Sequence, residues 1–421
     1  MKRYYPWVIC VTATVMLTVS NGLTVTGITA FDEPLLNEFG WSRGTLKFRD
    51  MLNLLLTGLM APFVGALIDR VGVRALILTG SLLLAALYLA YSHVHSILQL
   101  YLIHVGFAAV LLACGLNVAV IMVSQWFETR RGTALGIALA GSSLGGMLIP
   151  KLVVTLLPQF GWRDSFMWMA LLPTGLFFLC LWLVRSPKQS GFSPLRAAAP
   201  VADSAAGSIV AKVVSYPDLN YRQALGTRTF WALAVIALTT FYGILALSAH
   251  LMLHMRDLGF SLQHAGNGMM VLFGMGMVGK FVFGFLADTF HPKKVFVSNQ
   301  LLMLGGAILL ASQQVGLLWY GLFLFGLGWG GLYALLQLQL ISAFGITAAG
   351  KILGTVTLMD AVAAGLGIWL SAVMFDHYGN YHLAFNIIAV FVGISFLCSL
   401  LVREERRLAF ERNAAASSVR A

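Results

Sequence analysis

Charge is what this sequence lacks most. Only 10% of its 421 residues are Asp, Glu, Lys or Arg, against 59% hydrophobic. That stock cannot give a globule of this size a polar surface, so the chain reads as an all-α polytopic membrane protein. Cysteine is scarce as well. Cys10, Cys114, Cys180 and Cys398 all lie in apolar runs without metal-ligand spacing, which argues against a disulfide framework and a thiolate metal site. No phosphate-cradling loop, HExxH or Ser/His/Asp set is present. A primary pump or membrane hydrolase would have nothing to work with, and no enzyme activity, cofactor or metal is expected. The net charge of +11 would suggest nucleic acid for a soluble domain. Here it follows from basic residues in alternate loops, and no nucleic-acid partner is implied.

Apolar runs of membrane length fall at 7–31, 45–67, 74–92, 97–124, 132–156 and 163–184, then at 228–252, 264–287, 294–312, 317–342, 351–374 and 381–402. The first run follows Lys2 and Arg3 but is too long for a signal-peptide core and lacks a small-residue cleavage site, so it is read as a retained span. This gives an N-terminal bundle over 1–184, a cytoplasmic linker over 185–227, a C-terminal bundle over 228–402 and a basic tail over 403–421. The tail is expected to rest on the anionic inner leaflet. With the N-terminus in the cytoplasm, 20 of the 27 lysines and arginines fall inside. Arg43, Lys47, Arg49, Arg163 and Arg256 fall outside, so the positive-inside rule puts both termini in the cytoplasm of a cell-membrane protein.

The halves repeat. Gly65-Ala-Leu-Ile-Asp69 is echoed by Gly284-Phe-Leu-Ala-Asp288 at an offset of 219, and Gly132-Thr-Ala-Leu-Gly136 by Gly350-Lys-Ile-Leu-Gly354 at 218. Six spans duplicated as six more is a pattern of secondary transporters.

Within this apolar background Lys280 is the leading functional residue. Eight residues before Asp288, it lies ~12 Å inside the membrane boundary, where an ammonium costs at least ~2.5–3.5 kcal/mol and normally marks a substrate or ion path. A snorkelling lysine is the competing reading. Asp360 on span 11 lies ~13 Å inside its own boundary, at nearly the same depth. The two charges are expected to meet, with a substrate carboxylate competing for the ammonium and Asp360 responding to protons. A static pair holding helices together competes with that reading. Asn117 on span 4 shares the depth and serves either as an anion ligand or as interhelical glue. His93, His95, His250, His254 and His377 fall at or beyond the outer boundary, and Lys151 snorkels to the outer edge. His104 is deeper, a candidate for a pH-sensitive gate.

Gly65-Ala-Leu-Ile-Asp69-Arg70-Val-Gly72-Val-Arg74 resembles the signature loop of the major facilitator superfamily. Trp126-Phe-Glu-Thr-Arg130-Arg131-Gly132-Thr-Ala-Leu-Gly136, Gly141-Ser-Ser-Leu-Gly145, Gly40-Trp-Ser-Arg43 and Phe375-Asp-His-Tyr-Gly379 are similar to the monocarboxylate transporters and bacterial oxalate/formate antiporters. The resemblance spans about 7–403. It implies twelve transmembrane helices in two pseudo-symmetric six-helix bundles and a span 8 cation that binds the substrate carboxylate. That position is held by Lys280, which keeps the charge of the family's arginine without its bidentate fork. In this fold spans 1, 7 and 10 line the cavity, which adds Asn21, Tyr242, Tyr333 and Gln337. The loop motifs imply a breakable latch at the cytoplasmic ends, formed by Asp69 and Asp288 with Gly65, Gly72, Gly284, Arg70, Arg74, Arg130 and Arg131.

Departures bear on the substrate. Gly276 stands where many animal members carry a carboxylate, span 1 has no lysine near Thr24 or Thr26, and Asp360 falls where oxalate exchangers place a second cation. A dicarboxylate held between two cations is therefore not expected. The expected function is secondary transport of small, monocarboxylate-like organic anions, by proton symport or anion exchange, with the chain a monomer or weak dimer. The rivals are drug or solute efflux by proton antiport, and a non-transporting membrane sensor. The lysine in the path weighs against the first, and the shortness of linker and tail against the second.

Overall fold

A computed structural model describes residues 4–127, 130–185, 216–345 and 349–418. Hydrocarbon offers the backbone no hydrogen-bond partners, so runs this apolar satisfy their own N–H and C=O groups as helices. The N-terminal half comprises α1 (Tyr5–Phe39), α2 (Arg43–Val71), α3 (Val73–Tyr91), α4 (Ile97–Ser124) and a continuous apolar stretch, Gly132–Leu183. At ~1.5 Å per residue that 52-residue stretch would be ~78 Å long, more than twice a bilayer core. It folds back at Gly161 (φ 69°, ψ 176°) into α5 (131–160) and α6 (162–183). The C-terminal half comprises α7 (Arg228–Asp257), α8 (Leu262–Thr289), α9 (Pro292–Ala311), α10 (Val315–Phe344), α11 (Ala349–Tyr378) and α12 (His382–Leu401). Twelve helices in two six-helix bundles result, with both termini at one end. The opposite end is called the far end below.

The duplication is legible in the far-end turns. Gly40 (φ 64°) closes α1 and Gly259 (φ 84°) closes α7, 219 residues apart, while Gly161 (φ 69°) and Gly379 (φ 70°) turn α5 into α6 and α11 into α12, 218 apart. The following helices are capped alike: Ser42 accepts from the Thr45 N–H and Ser261 from the His264 N–H, again at an offset of 219. A left-handed backbone is where glycine costs least, and a serine N-cap satisfies an orphan donor. The turn chemistry of both halves has thus kept one register.

Two helices of the N-terminal half are interrupted at membrane depth. The α1 chain leaves α-geometry at Asn21, runs as a π-helix over Gly22–Thr26 and tightens to a 3₁₀-helix over Gly27–Phe31. Gly22 and Gly27 press on Ile149 of α5. In α4 the helix breaks at Gly115, where a Cβ would stand 2.1 Å from the Leu111 carbonyl oxygen. Irregular backbone in a span is tolerated where protein or a cavity covers it, and single π-turns often mark functional sites.

Between the halves α2 packs on α11 and α5 on α8. Gly44 meets Val373 and Asp376, Gly365 meets Met51, and Gly58 meets Ala361; on the other flank Gly146 meets Phe273 and Gly266 meets Val154. The cross-half hydrogen bonds and ion pairs run from the level of Lys280 to the far end.

Two expectations are corrected. Most of the linker, 186–215, lies outside the described residues, but its end is docked. The Leu219 N–H donates to the Phe344 carbonyl at 3.0 Å, Asp218 pairs with Arg406 at 2.9 Å, and the Tyr221 hydroxyl meets Thr355 at 2.9 Å. Nor is the tail simply laid on a leaflet. Its helix α13 (Glu405–Ser418) spends Arg406 on Asp218 and on the Tyr216 carbonyl, stacks Phe410 near Tyr216, and accepts the Thr229 hydroxyl on Glu405 at 2.5 Å. A local carboxylate and a carbonyl both take the Nη2 of Arg406, which ties the tail to the end of the linker.

Candidate functional site

Lys280 lies on α8 and is half-buried. Its Nζ donates to the Leu139 carbonyl at 3.2 Å and to Ser142 Oγ at 3.1 Å, both on α5 of the other half. The ammonium has three donors, so one remains beyond these two acceptors. No carboxylate among the described residues lies within ion-pair distance of it. Snorkelling does not account for this lysine, because its head is turned sideways across the seam between the halves.

The expected meeting of Lys280 with Asp360 does not occur. Asp360 is 9% exposed on α11, and no ion pair joins it to a cation among the described residues. The reason is azimuth. Equal depth sets two residues at one height, but α8 packs on α5, while α11 packs on α2 with Ala361 against Gly58. Asp360 instead lies within electrostatic reach of Tyr333.

The remaining candidates separate. Tyr333 is 43% exposed, with Gln337 half-buried one turn further on the same face of α10. Asn21 ends the α-helical part of α1 and carries a buried Nδ2 without a partner. Asn117 is exposed immediately beyond the α4 break. Tyr242 is corrected to a core position, since it is 5% exposed with its ring edge-on to Phe391 of α12 at 4.9 Å. Of the candidates, Lys280, Asn21, Asn117, Tyr333, Gln337 and Asp360 are then the polar groups that remain open to a solute.

The latch is not made in this conformation. Asp69, Arg70, Arg130 and Asp288 are exposed, and no ion pair reaches either aspartate among the described residues. Arg74 donates instead to the Leu181 carbonyl at 2.6 Å, and Gly65, Gly72 and Gly284 have open space where a Cβ would stand. The side chain of Arg131 lies outside the described residues. The cross-half hydrogen bonds and ion pairs named above lie between the level of Lys280 and the far end, and none of them involves a latch residue.

Two constellations escaped the sequence reading. Lys47 and Arg49, expected outside the membrane, are fully buried in α2 with Asp50, Asp32 of α1 and His104 of α4. Lys47 Nζ is 2.5 Å from Asp32 and 3.2 Å from Asp50; Arg49 pairs with Asp32 and donates to the Tyr91 hydroxyl at 2.8 Å; His104 is 3.5 Å from Asp50. Two acids and two bases cancel, which makes burial tolerable. His104 is therefore part of an internal network of the N-terminal half. The readable signal was Lys47 and Asp50 at i, i+3 with an acid at the end of the preceding span. Removing one member of such a set typically costs about 3–5 kcal/mol. Arg49→Met should therefore lower the thermal midpoint of the purified protein sharply, and adding Asp32→Asn should recover part of the loss. An Arg49→Met midpoint equal to wild type would contradict the network's role.

The second constellation bolts the far end. Arg43 of α2 grips Asp257 of α7 through both terminal nitrogens at 2.7 Å, lies over the Phe375 ring at 3.6 Å and donates to the Tyr381 hydroxyl at 2.9 Å. Asp376 accepts the backbone N–H groups of Arg43 and Gly44 at 2.9 and 2.6 Å. Arg256 of α7 returns the grip on Glu33 of α1 at 2.8 and 2.9 Å. On the other flank Lys151 does not snorkel. Its Nζ donates to Gln263 at 3.1 Å and to Asn267 at 2.7 Å, both on α8. His250 and His254, expected at the interface, are 1% and 3% exposed within this seam.

Comparison with known proteins places this geometry. A profile of the Major Facilitator Superfamily matches residues 12–367 and 255–420. The oxalate:formate antiporter of Oxalobacter formigenes is 25% identical over 403 residues, covering 94% of this chain and 91% of that protein. Monocarboxylate transporter 4 of Rattus norvegicus is 25% identical over 384 residues, covering 89% and 77%. Among solved structures, a bacterial homolog of the human lysosomal transporter Spinster, in its inward-facing and occupied conformation, superposes with a TM-score of 0.74 at 16% identity, covering 95% of this chain and 97% of that one.

Proposed function

Because the chain belongs to the Major Facilitator Superfamily, whose members here are membrane transporters of small molecules and not enzymes, we propose that it carries small organic anions of the monocarboxylate type by alternating access. The observation that carries this is the Lys280 ammonium, held at mid-depth on the seam with two neutral acceptors and, among the described residues, no carboxylate partner. A buried cation without a counter-charge favours an anion over a neutral or cationic solute. The relatives named for oxalate, formate and monocarboxylates support the same class. Both termini are placed in the cytoplasm on the distribution of basic residues. The bolted end is then proposed to face outward, and the termini-bearing end inward.

Asp360 is the proposed proton-responsive group. Among the described residues, Lys280 and Asp360 are charges at mid-depth without ionic partners, of opposite sign and apart from one another. An anion on Lys280 and a proton on Asp360 leave neither bare while the loaded protein crosses, which favours symport. Anion exchange is the second reading, favoured by the likeness to an antiporter. Asn21, Asn117, Tyr333 and Gln337 are proposed to contact the solute. Asp69 and Asp288, with Arg70, Arg74, Arg130 and Arg131, are proposed to latch the inner ends when they meet.

The reading is tested by thermal shift of the purified protein against formate, lactate, pyruvate, oxalate and larger carboxylates at two pH values. A ligand at 100 times its Kd stabilises by about 2.7 kcal/mol, so a monocarboxylate should raise the midpoint by a readily measured amount. If only cationic or neutral solutes do so, the anion reading fails.

A further inference from the structure

We propose that His250 is a proton-sensitive bolt in the far-end gate: the closed gate is built for a neutral imidazole, and a proton on His250 opens it. The inference needs only alternating access and does not depend on which solute is carried. His250 of α7 is 1% exposed and bonded through both ring nitrogens. Its Nε2 lies 2.8 Å from the Ile368 carbonyl oxygen of α11. A carbonyl can only accept, so Nε2 carries a hydrogen. Its Nδ1 lies 2.9 Å from the Tyr381 hydroxyl, and that oxygen is 2.9 Å from Arg43 Nη1 of the other half. Arginine can only donate, so the tyrosyl oxygen accepts from Arg43 and gives its own hydrogen to Nδ1.

The relay Arg43 to Tyr381 to His250 to Ile368 thus holds one hydrogen per link and crosses from one half to the other. A proton added at Nδ1 breaks it. Two donors would then face the tyrosyl oxygen, and its own hydrogen loses the acceptor that His250 Nδ1 gives it in the closed gate. No free anion stands by to compensate. The ring lies within electrostatic reach of Arg43, Lys47 and Asp50 of α2, its partner Tyr381 of α12 within reach of Asp257 and Asp32, and His254 of its own helix within reach of His382; Glu33, Arg256 and Asp376 stand in the same seam. Asp257 is taken by Arg43, Asp376 by two backbone N–H groups, Glu33 by Arg256, and Asp32 and Asp50 by Lys47 and Arg49. The nearest histidine of α8, His264, is bonded to Ser261. When the far end parts, Arg43 leaves with α2, and the tyrosyl oxygen is free to accept from an imidazolium. Protons then bind the open gate better than the closed one, and they shift the population toward it by that difference.

The test measures the gate directly. The full chain with Cys398→Ser, Asn37→Cys and Val315→Cys is spin-labelled at 37 and 315, reconstituted in lipid nanodiscs without added solute, and measured by double electron–electron resonance at pH 8 and pH 5. The ratio of long to short distances should rise at least about tenfold at pH 5, the factor that a 1.4 kcal/mol coupling carries. His250→Gln, whose amide donates to Ile368 and accepts from Tyr381 as neutral histidine does, should abolish the rise. His254→Gln should retain it. Identical distance distributions at the two pH values without a histidine substitution, or an undiminished rise in His250→Gln, overturns the proposal.

Discussion

Lys280→Gln should abolish carboxylate uptake while leaving the protein inserted and folded. Glutamine has enough length to reach the Leu139 carbonyl or Ser142 and so preserves the α5–α8 seam, but it brings no charge. A hydrogen bond to a charged partner contributes about 1.5–3 kcal/mol, so carboxylate binding should weaken about 10- to 150-fold on this ground alone. The missing counter-charge adds to that when the loaded protein crosses. Lys280→Arg should retain part of the activity, since the charge survives and the fork suits a carboxylate. The measurements are labelled uptake into proteoliposomes at matched protein density and the thermal shift with the best carboxylate. Wild-type uptake and an undiminished shift in Lys280→Gln would remove the residue from the site and the anion reading with it.

Asp360→Asn should separate transport from the proton gradient. Asparagine stands in for the protonated acid at nearly unchanged volume, so the packing of Ala361 on Gly58 need not move. Accumulation of carboxylate driven by an imposed pH gradient should fall to the level of simple equilibration, a loss of essentially the whole gradient-dependent component. Counterflow of labelled against unlabelled carboxylate should persist, because a loaded protein with a neutral residue 360 still carries no bare charge. If Asp360→Asn accumulates substrate against its gradient with pH as the only driving force, Asp360 is structural and the proton travels elsewhere.

How much of this was written in the sequence depends on which coordinate is asked for. Hydropathy reads depth, and depth recovers the spans, because burial in hydrocarbon leaves no freedom about polarity; the duplication came from motifs repeated at one offset. Hydropathy does not read azimuth. Lys280 and Asp360 share a height but stand on opposite flanks, where α8 and α11 face different partners, and nothing in residue spacing reports that. Boundary reasoning also treats a charge as a sign of water. That misplaced Lys47 and Arg49, whose counter-charges come from α1 and from their own helix, and it put His250 and His254 at an interface when helices bury them. Tyr242 failed for the related reason that a cavity-lining helix has a rear face, here covered by Phe391.

The charge cluster behind the far end gives the two halves unequal compliance. Lys47 and Arg49 tie Asp32 to α2, and Tyr91 and His104 extend the tie to α3 and α4, so the tips of four N-terminal helices are cross-linked inside low-dielectric surroundings. No buried ion pair does the same in the C-terminal half among the described residues. Bending one N-terminal tip alone would pull a charge from its partner, which costs several kcal/mol. Bending α7 or α11 separates no buried ion pair within its own half among the described residues. Whatever flexing closes the protein around its cargo is thereby directed to the C-terminal half, with the N-terminal half as its rigid counterpart.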